Sequence, residues 1–214
     1  MLKINNLYFS YGSKKVLNGI NLEINHSECI GILGKNGCGK STLLSIICGI
    51  YKSPKDSILI DSQEKIGYIP QDDPLIYDLT GYDNINLWYK GNKKELIKSI
   101  NSPLIKSLGI DEFIKLPVKK MSGGMRRKIT IAAAIINNPN YIILDEPTAA
   151  LDIPSKYEIK KYLNECKSNG TGILFTSHDE AELEICDKLY ILKNGLLTQI
   201  DKNVKGQELA GMLI

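Results

Sequence analysis

Gly34, Gly39, Lys40 and Ser41 satisfy the spacing G-x-x-x-x-G-K-[ST]. The apolar run Ile30 to Leu33 before them reads as a buried strand, and Leu43, Leu44, Ile46 and Ile47 after them as a helix, which is the context a phosphate-binding loop requires. A triphosphate needs several backbone N–H donors converging on its oxygens, and Gly34, Gly37 and Gly39 let the chain curl that tightly. Lys40 is placed to bridge the β- and γ-phosphates and Ser41 to offer a hydroxyl to Mg²⁺, while the following helix points its positive end at the phosphates. By itself this loop says that a nucleotide binds.

A second group of residues could work on that nucleotide. Tyr141 to Leu144 is an apolar strand ending in two carboxylates, Asp145 and Glu146. Strand side chains alternate, so the two cannot point the same way: one can serve the metal and the other an attacking water. A phosphate loop upstream calls for a carboxylate at such a place. Ser122-Gly123-Gly124, just before an apolar-periodic helix, is a second candidate phosphate contact, although alone it reads as an ordinary capped helix. Tyr11 in a turn, Gln71 at a strand end and His178 past another strand carry no function on their own terms.

The elements that must hold these residues alternate along the chain. Leu2 to Leu22 reads as strand, turn, strand about residues 10–15. Two strand-like pieces, Ser57 to Asp61 and Lys65 to Pro70, precede Gln71. Thr80 and Asp83 form a capping-box pattern ahead of a helix that places Ile85, Trp88 and Tyr89 on an apolar face and stops at Gly91. A second helical stretch puts Leu96, Ile97, Ile100, Leu104 and Leu108 on one side, interrupted at Pro103. Ser122 caps a helix with Ile129, Ala132, Ala133 and Ile136 on one stripe, and a further helix runs from about Ser155 to Lys167. Gly172 to Ser177 is another buried strand, and Asn194-Gly195 marks a hairpin. The expected fold class is α/β: a P-loop core with a mainly parallel sheet, a small antiparallel sheet and an inserted helical lobe. Residues 1–214 form one domain, with 1–71 and 138–214 as core and 72–137 as lobe.

Bulk properties narrow the class further. A chain of 214 residues buries about 70% of its unfolded surface without covalent staples. Five cysteines without a C-x-x-C pair suit a reduced compartment and argue against a disulfide framework, and isolated His26 and His178 argue against zinc. No apolar run reaches the roughly 20 residues that span a bilayer, and no leader pattern opens the chain. The formal charge is +3; its 27 basic residues are 25 lysines and two arginines spread without a long run, weak footing for nucleic-acid binding.

Taken in order, Gly34 to Ser41, Gln71, Ser122-Gly123-Gly124, Leu144-Asp145-Glu146, Ala150-Leu151-Asp152 and His178 resemble the nucleotide-binding subunits of ATP-binding cassette (ABC) transporters over essentially the whole chain. The resemblance implies ATP and Mg²⁺ as cofactors. It makes Tyr11 the aromatic on adenine and Gly34, Lys35, Asn36, Gly37, Cys38, Gly39, Lys40, Ser41 and Thr42 the Walker A loop. It places Mg²⁺ with Ser41, Gln71 and Asp145, the hydrolytic water with Glu146 and Gln71, and the γ-phosphate with Lys40 and His178. Ser122, Gly123 and Gly124 would be the signature that completes the ATP site of a second cassette, and Asp152 would lie across that interface. Separate transmembrane permease subunits are the implied partners, at the cytoplasmic face of the cell membrane, and no nucleic acid is expected. A soluble ABC ATPase acting on nucleic acid or ribosomes is the alternative. Three departures stand out, one of them Cys38 inside the loop. Met125 replaces the usual signature Gln, so a thioether stands where an amide would donate, while Ser122 and the glycine amides remain. Pro70 follows Lys40 by only 30 positions, which trims the antiparallel region. The spelling Ser122-Gly123-Gly124-Met125-Arg126-Arg127, with Leu79-Thr80-Gly81-Tyr82-Asp83-Asn84, resembles exporters of the ABC-2 type.

Overall fold

A computed structural model describes residues 1–54, 56–149, 151–177 and 180–213. The N-terminal strands β1 (Leu2–Tyr11) and β2 (Lys14–Ile24) pair antiparallel, and the two-residue β4 (Ile58–Leu59) joins the free edge of β1. The expected strand over 57–61 is thus cut to its centre, in keeping with the short spacing noted above. Tyr11 closes β1, opposite Lys14, rather than sitting inside the turn.

The second sheet runs in the order β5 (Ile66–Ile69), β6 (Tyr141–Asp145), β7 (Gly172–Thr176), β3 (Cys29–Leu33), β8 (Lys188–Lys193), β9 (Leu196–Ile200). All neighbours are parallel except β8 and β9, which form the hairpin over Asn194-Gly195, both with positive φ as that turn demands. Its central strands are buried on both faces, and their alternation divides the core in two. Ile30, Ile32, Tyr141, Ile143 and Leu174 point towards helix α1 (Lys40–Ile47), which lies against the antiparallel sheet through Leu43, Leu44, Ile46 and Ile47. Ile142, Leu144, Ile173 and Phe175 point the other way, into a cluster that continues through the helices beyond.

Between β5 and β6 the chain forms α2 (Gly81–Trp88), α3 (Lys93–Ile100), α4 (Pro103–Lys106) and α5 (Gly123–Ile135), with short 3₁₀ turns at Ile110–Glu112 and Val118–Lys120. The interruption at Pro103 is real: Pro103 is the first residue of α4, where its missing N–H costs nothing. Two residues assigned to apolar faces turn out otherwise. Trp88 and Ile97 are 55% and 47% exposed, whereas Ile85, Leu96, Ile100 and Leu108 of the same stripes are buried in the core. After β6 come α6 (Ile153–Ser168), the one-turn α7 (Glu180–Leu183) and, past the hairpin, α8 (Gly206–Leu213). Among the described residues no helix is long and apolar enough to cross a membrane.

Candidate active site

The loop from Gly34 to Gly39 leaves β3 and enters α1. Gly34 is wedged so that a side-chain carbon would stand 2.6 Å from both the Cys38 sulfur and the Leu192 carbonyl oxygen, and Gly39 is held at φ 111° against Val16. Both positions therefore exclude any larger residue. At α1, Gly39 is the N-cap, with no side chain to accept from the first turn and no acidic residue within it. Helices α2, α3, α4, α5 and α6 instead start from Thr80, Asn92, Ser102, Ser122 and Asp152, each of whose side chains accepts a backbone N–H of the first turn. The first-turn donors of α1 thus have no side-chain cap, the arrangement that suits an anion.

Tyr11, Lys14, Val16, Asn36, Gly37, Gly39, Lys40, Ser41, Thr42, Gln71 and Glu146 line one cavity of about 360 Å³. Lys40, only 6% exposed, donates from Nζ to the carbonyls of Gly34 (2.8 Å) and Lys35 (3.3 Å), and stands 4.0 Å from Glu146 Oε1. Gln71 Nε2 is 3.4 Å from the other oxygen, Oε2. Glu146 thus lies between the loop lysine and Gln71, with both oxygens facing hydrogen-bond donors. Asp145 is buried beneath and receives a 2.6 Å bond from the Thr176 hydroxyl, whose oxygen also accepts from the Glu146 amide at 3.0 Å. One hydroxyl thereby fixes the relative placement of the two carboxylates. Strand alternation runs up to Asp145, the last strand residue; Glu146 follows in a left-handed conformation at φ 46°. Burial, and after it the nearby Asp145 charge, pushes the Tyr68 phenol up to about 12.

At the other end of the cavity Tyr11 is half exposed, its hydroxyl 3.3 Å from Thr42 Oγ1, and its ring meets Phe9 and Tyr51 edge-on at centroid separations of 5.1 and 6.0 Å. The ring is presented at the mouth rather than tucked under its own loop.

Lys35, Cys38 and Asp145 flank the cavity without lining it; Cys38 is half-buried behind Gly34. Ser122, Gly123 and Gly124 also lie off it, at the exposed start of α5, where the Ser122 hydroxyl caps the Met125 amide at 3.2 Å. His178 falls outside the described residues. Sequence reasoning missed Lys14 and Val16, which line the cavity from β2, and Thr176 and Arg127, which hold the end of β6. The sequence marks Arg127 only as one of two arginines among 27 basic residues and as the end of the Ser122-to-Arg127 spelling, neither of which points to its backbone partners.

A family model described as "ABC transporter" matches residues 17–149. The chain is 34% identical to the lantibiotic transport ATP-binding protein SrtF of Streptococcus pyogenes, over 97% of this chain and 93% of that protein. It is 32% identical to the linearmycin resistance ATP-binding protein LnrL of Bacillus subtilis, over 94% and 68% of the two chains. Among solved structures, the ATP-binding cassette MJ0796, a dimer in a post-hydrolysis state with ADP and phosphate, superposes with a TM-score of 0.81 at 26% identity, covering 96% of this chain and 100% of that one. With the loop, the paired carboxylates and the two-sheet architecture in place, the chain belongs to the ABC transporter family and has the fold of its ATPase cassettes.

Proposed function

We propose that this chain binds and hydrolyses ATP as the energising subunit of an ABC transporter, driving export through separate membrane-spanning subunits from the cytoplasmic face of the cell membrane. The observation that carries the reading is the convergence of Lys40, Gln71 and Glu146 on one cavity at the uncapped start of α1. Tyr11 stacks on adenine, and Gly34 to Thr42 wraps the phosphates with Lys40 on the terminal pair. Water held by Glu146 and Gln71 attacks the γ-phosphorus, the bond to the bridging oxygen of ADP breaks, and ADP and phosphate result. Ser41, Gln71 and Asp145 are hard oxygen donors that suit Mg²⁺, which when bound neutralises charge on the β- and γ-phosphates. His178 is the proposed contact to the γ-phosphate.

Ser122, Gly123 and Gly124, displaced from this cavity, serve the ATP site of a second cassette, with Asp152 at the same interface. The reading takes residues 1–71 and 138–214 as the ATP-binding core and 72–137 as the lobe facing the permease. Ile76, Tyr77, Leu87, Trp88 and Ile97, all about half exposed on that lobe, are the surface a membrane partner would cover.

The test is turnover. Glu146→Gln should bind MgATP with near-normal affinity and hydrolyse it roughly 10²-fold or more slowly, the usual scale of a positioned general base. Near-normal hydrolysis by that variant removes Glu146 from its role.

A further inference from the structure

Arg127 lies on α5, five positions past Ser122, with 4% of its surface exposed. Its guanidinium donates from Nε to the Pro147 carbonyl (2.8 Å), from Nη1 to those of Pro70 (2.6 Å) and Gln71 (3.4 Å), and from Nη2 to those of Asp145 (3.2 Å) and Glu146 (3.4 Å). Asp73 supplies the counter-charge, at 3.2 Å from Nη1, and is itself held by the Thr130 hydroxyl at 3.0 Å. Five backbone oxygens from two separate segments meet one planar fork, which a lysine's single ammonium cannot reproduce.

The two segments are the ones that carry Gln71 and Glu146. Glu146 has a left-handed φ and precedes Pro147, a combination that sterics disfavour and that persists only where surroundings over-determine it. Thr176 holds the Glu146 amide, and Arg127 holds its carbonyl and the next one. We propose that Arg127 is the positioning residue of this site: it locks Glu146 in its productive conformation and makes the Gln71 segment, the Glu146 segment and the start of α5 move as one body. The inference rests on the ATPase reading above and adds to it a link from the signature helix to the hydrolytic carboxylate, independent of any contact between Arg127 and nucleotide.

Three measurements on full-length protein test it. Arg127→Lys should lower the ATP turnover number by about 10²-fold, the scale of an ångström-sized misplacement, with MgATP affinity unchanged. In nucleotide-free protein, amide exchange should quicken in peptides over 70–73 and 144–149 and stay as it was over 30–44. Combined with Glu146→Gln, Arg127→Lys should cause no further fall. Wild-type turnover and exchange in a folded Arg127→Lys overturn the proposal, as does an equal fall in the Glu146→Gln background. Should Arg127→Lys fail to fold, Asp73→Asn leaves Arg127 in place and loosens only its Nη1 end. It should give a smaller loss of turnover with the same local rise in exchange, and no change in either overturns the idea. A wild-type protein that binds no ATP sinks the ATPase reading instead, and the exchange arm, which needs no nucleotide, still decides the hold of Arg127.

Discussion

Lys40 and Glu146 face one another across the phosphate loop at 4.0 Å, and Lys40 spends its ammonium on the loop's own carbonyls. A triphosphate arriving there exchanges those carbonyls for anionic oxygens, a charge-assisted gain. Lys40→Ala should therefore abolish measurable MgATP binding while leaving the thermal midpoint of the empty protein nearly in place; retained binding by equilibrium titration counts against the site. Cysteine chemistry reports on the same loop. Cys29, Cys166 and Cys186 are buried, and burial pushes the Cys48 thiol up to about 12 and Cys166 to about 11. A maleimide should modify Cys38 first and be held off by MgATP, with equal labelling in both conditions counting against it. The loop residues were legible because they are contiguous and their chemistry is local. Arg127 and Thr176 were not, because their partners are backbone groups brought together only by the fold.

At the scale of elements, patterning located nearly every strand and helix but not always what each side chain meets. Periodicity puts Trp88 and Ile97 on apolar stripes, yet both are about half exposed, since a stripe is buried only where another element packs across it. Caps were more reliable, being local. The Thr80–Asp83 box is formed in both directions, with the Asp83 amide 3.1 Å from Thr80 Oγ1 and the Thr80 amide 3.3 Å from Asp83 Oδ2. Thr80→Ala should cost about 1 kcal/mol in denaturant unfolding. Strand β3, which delivers the phosphate loop, is moored at its start by Asp187, which accepts from the Cys29 amide at 2.8 Å and from Lys167 of α6 at 2.7 Å. Burial alone would raise the Asp187 carboxyl, but these donors outweigh it and hold it below its ordinary value. A depressed folded value means the stabilisation is present above the ordinary carboxylate value of about 4 and is lost as pH falls through the folded one. The stability gap between wild type and Asp187→Asn should therefore close as unfolding is measured at successively lower pH below about 4; a gap that stays constant contradicts this.

For the whole molecule, the division into a parallel sheet, an antiparallel sheet and helices between β5 and β6 follows from alternation, periodicity and turn residues in order. The partner chains do not, because nothing in a single chain specifies what its exposed apolar lobe meets. Tagged Glu146→Gln captured with MgATP from detergent-solubilised host membranes should bring down a multi-span protein. Recovery of ribosomes or nucleic acid instead would favour the soluble ATPase.

The two sheets share one cluster around α1, and a direct polar joint between them is the 2.8 Å bond from the Asn18 amide of β2 to the Gly195 carbonyl in the β8–β9 turn. A nucleotide bound as proposed, from Lys40 to Tyr11, would also be a strut between two layers of the fold. Its base end would brace the antiparallel sheet and its phosphate end the parallel one. ATP should then raise the unfolding temperature more than tripolyphosphate does at equal site occupancy, and the excess should vanish in Tyr11→Ala.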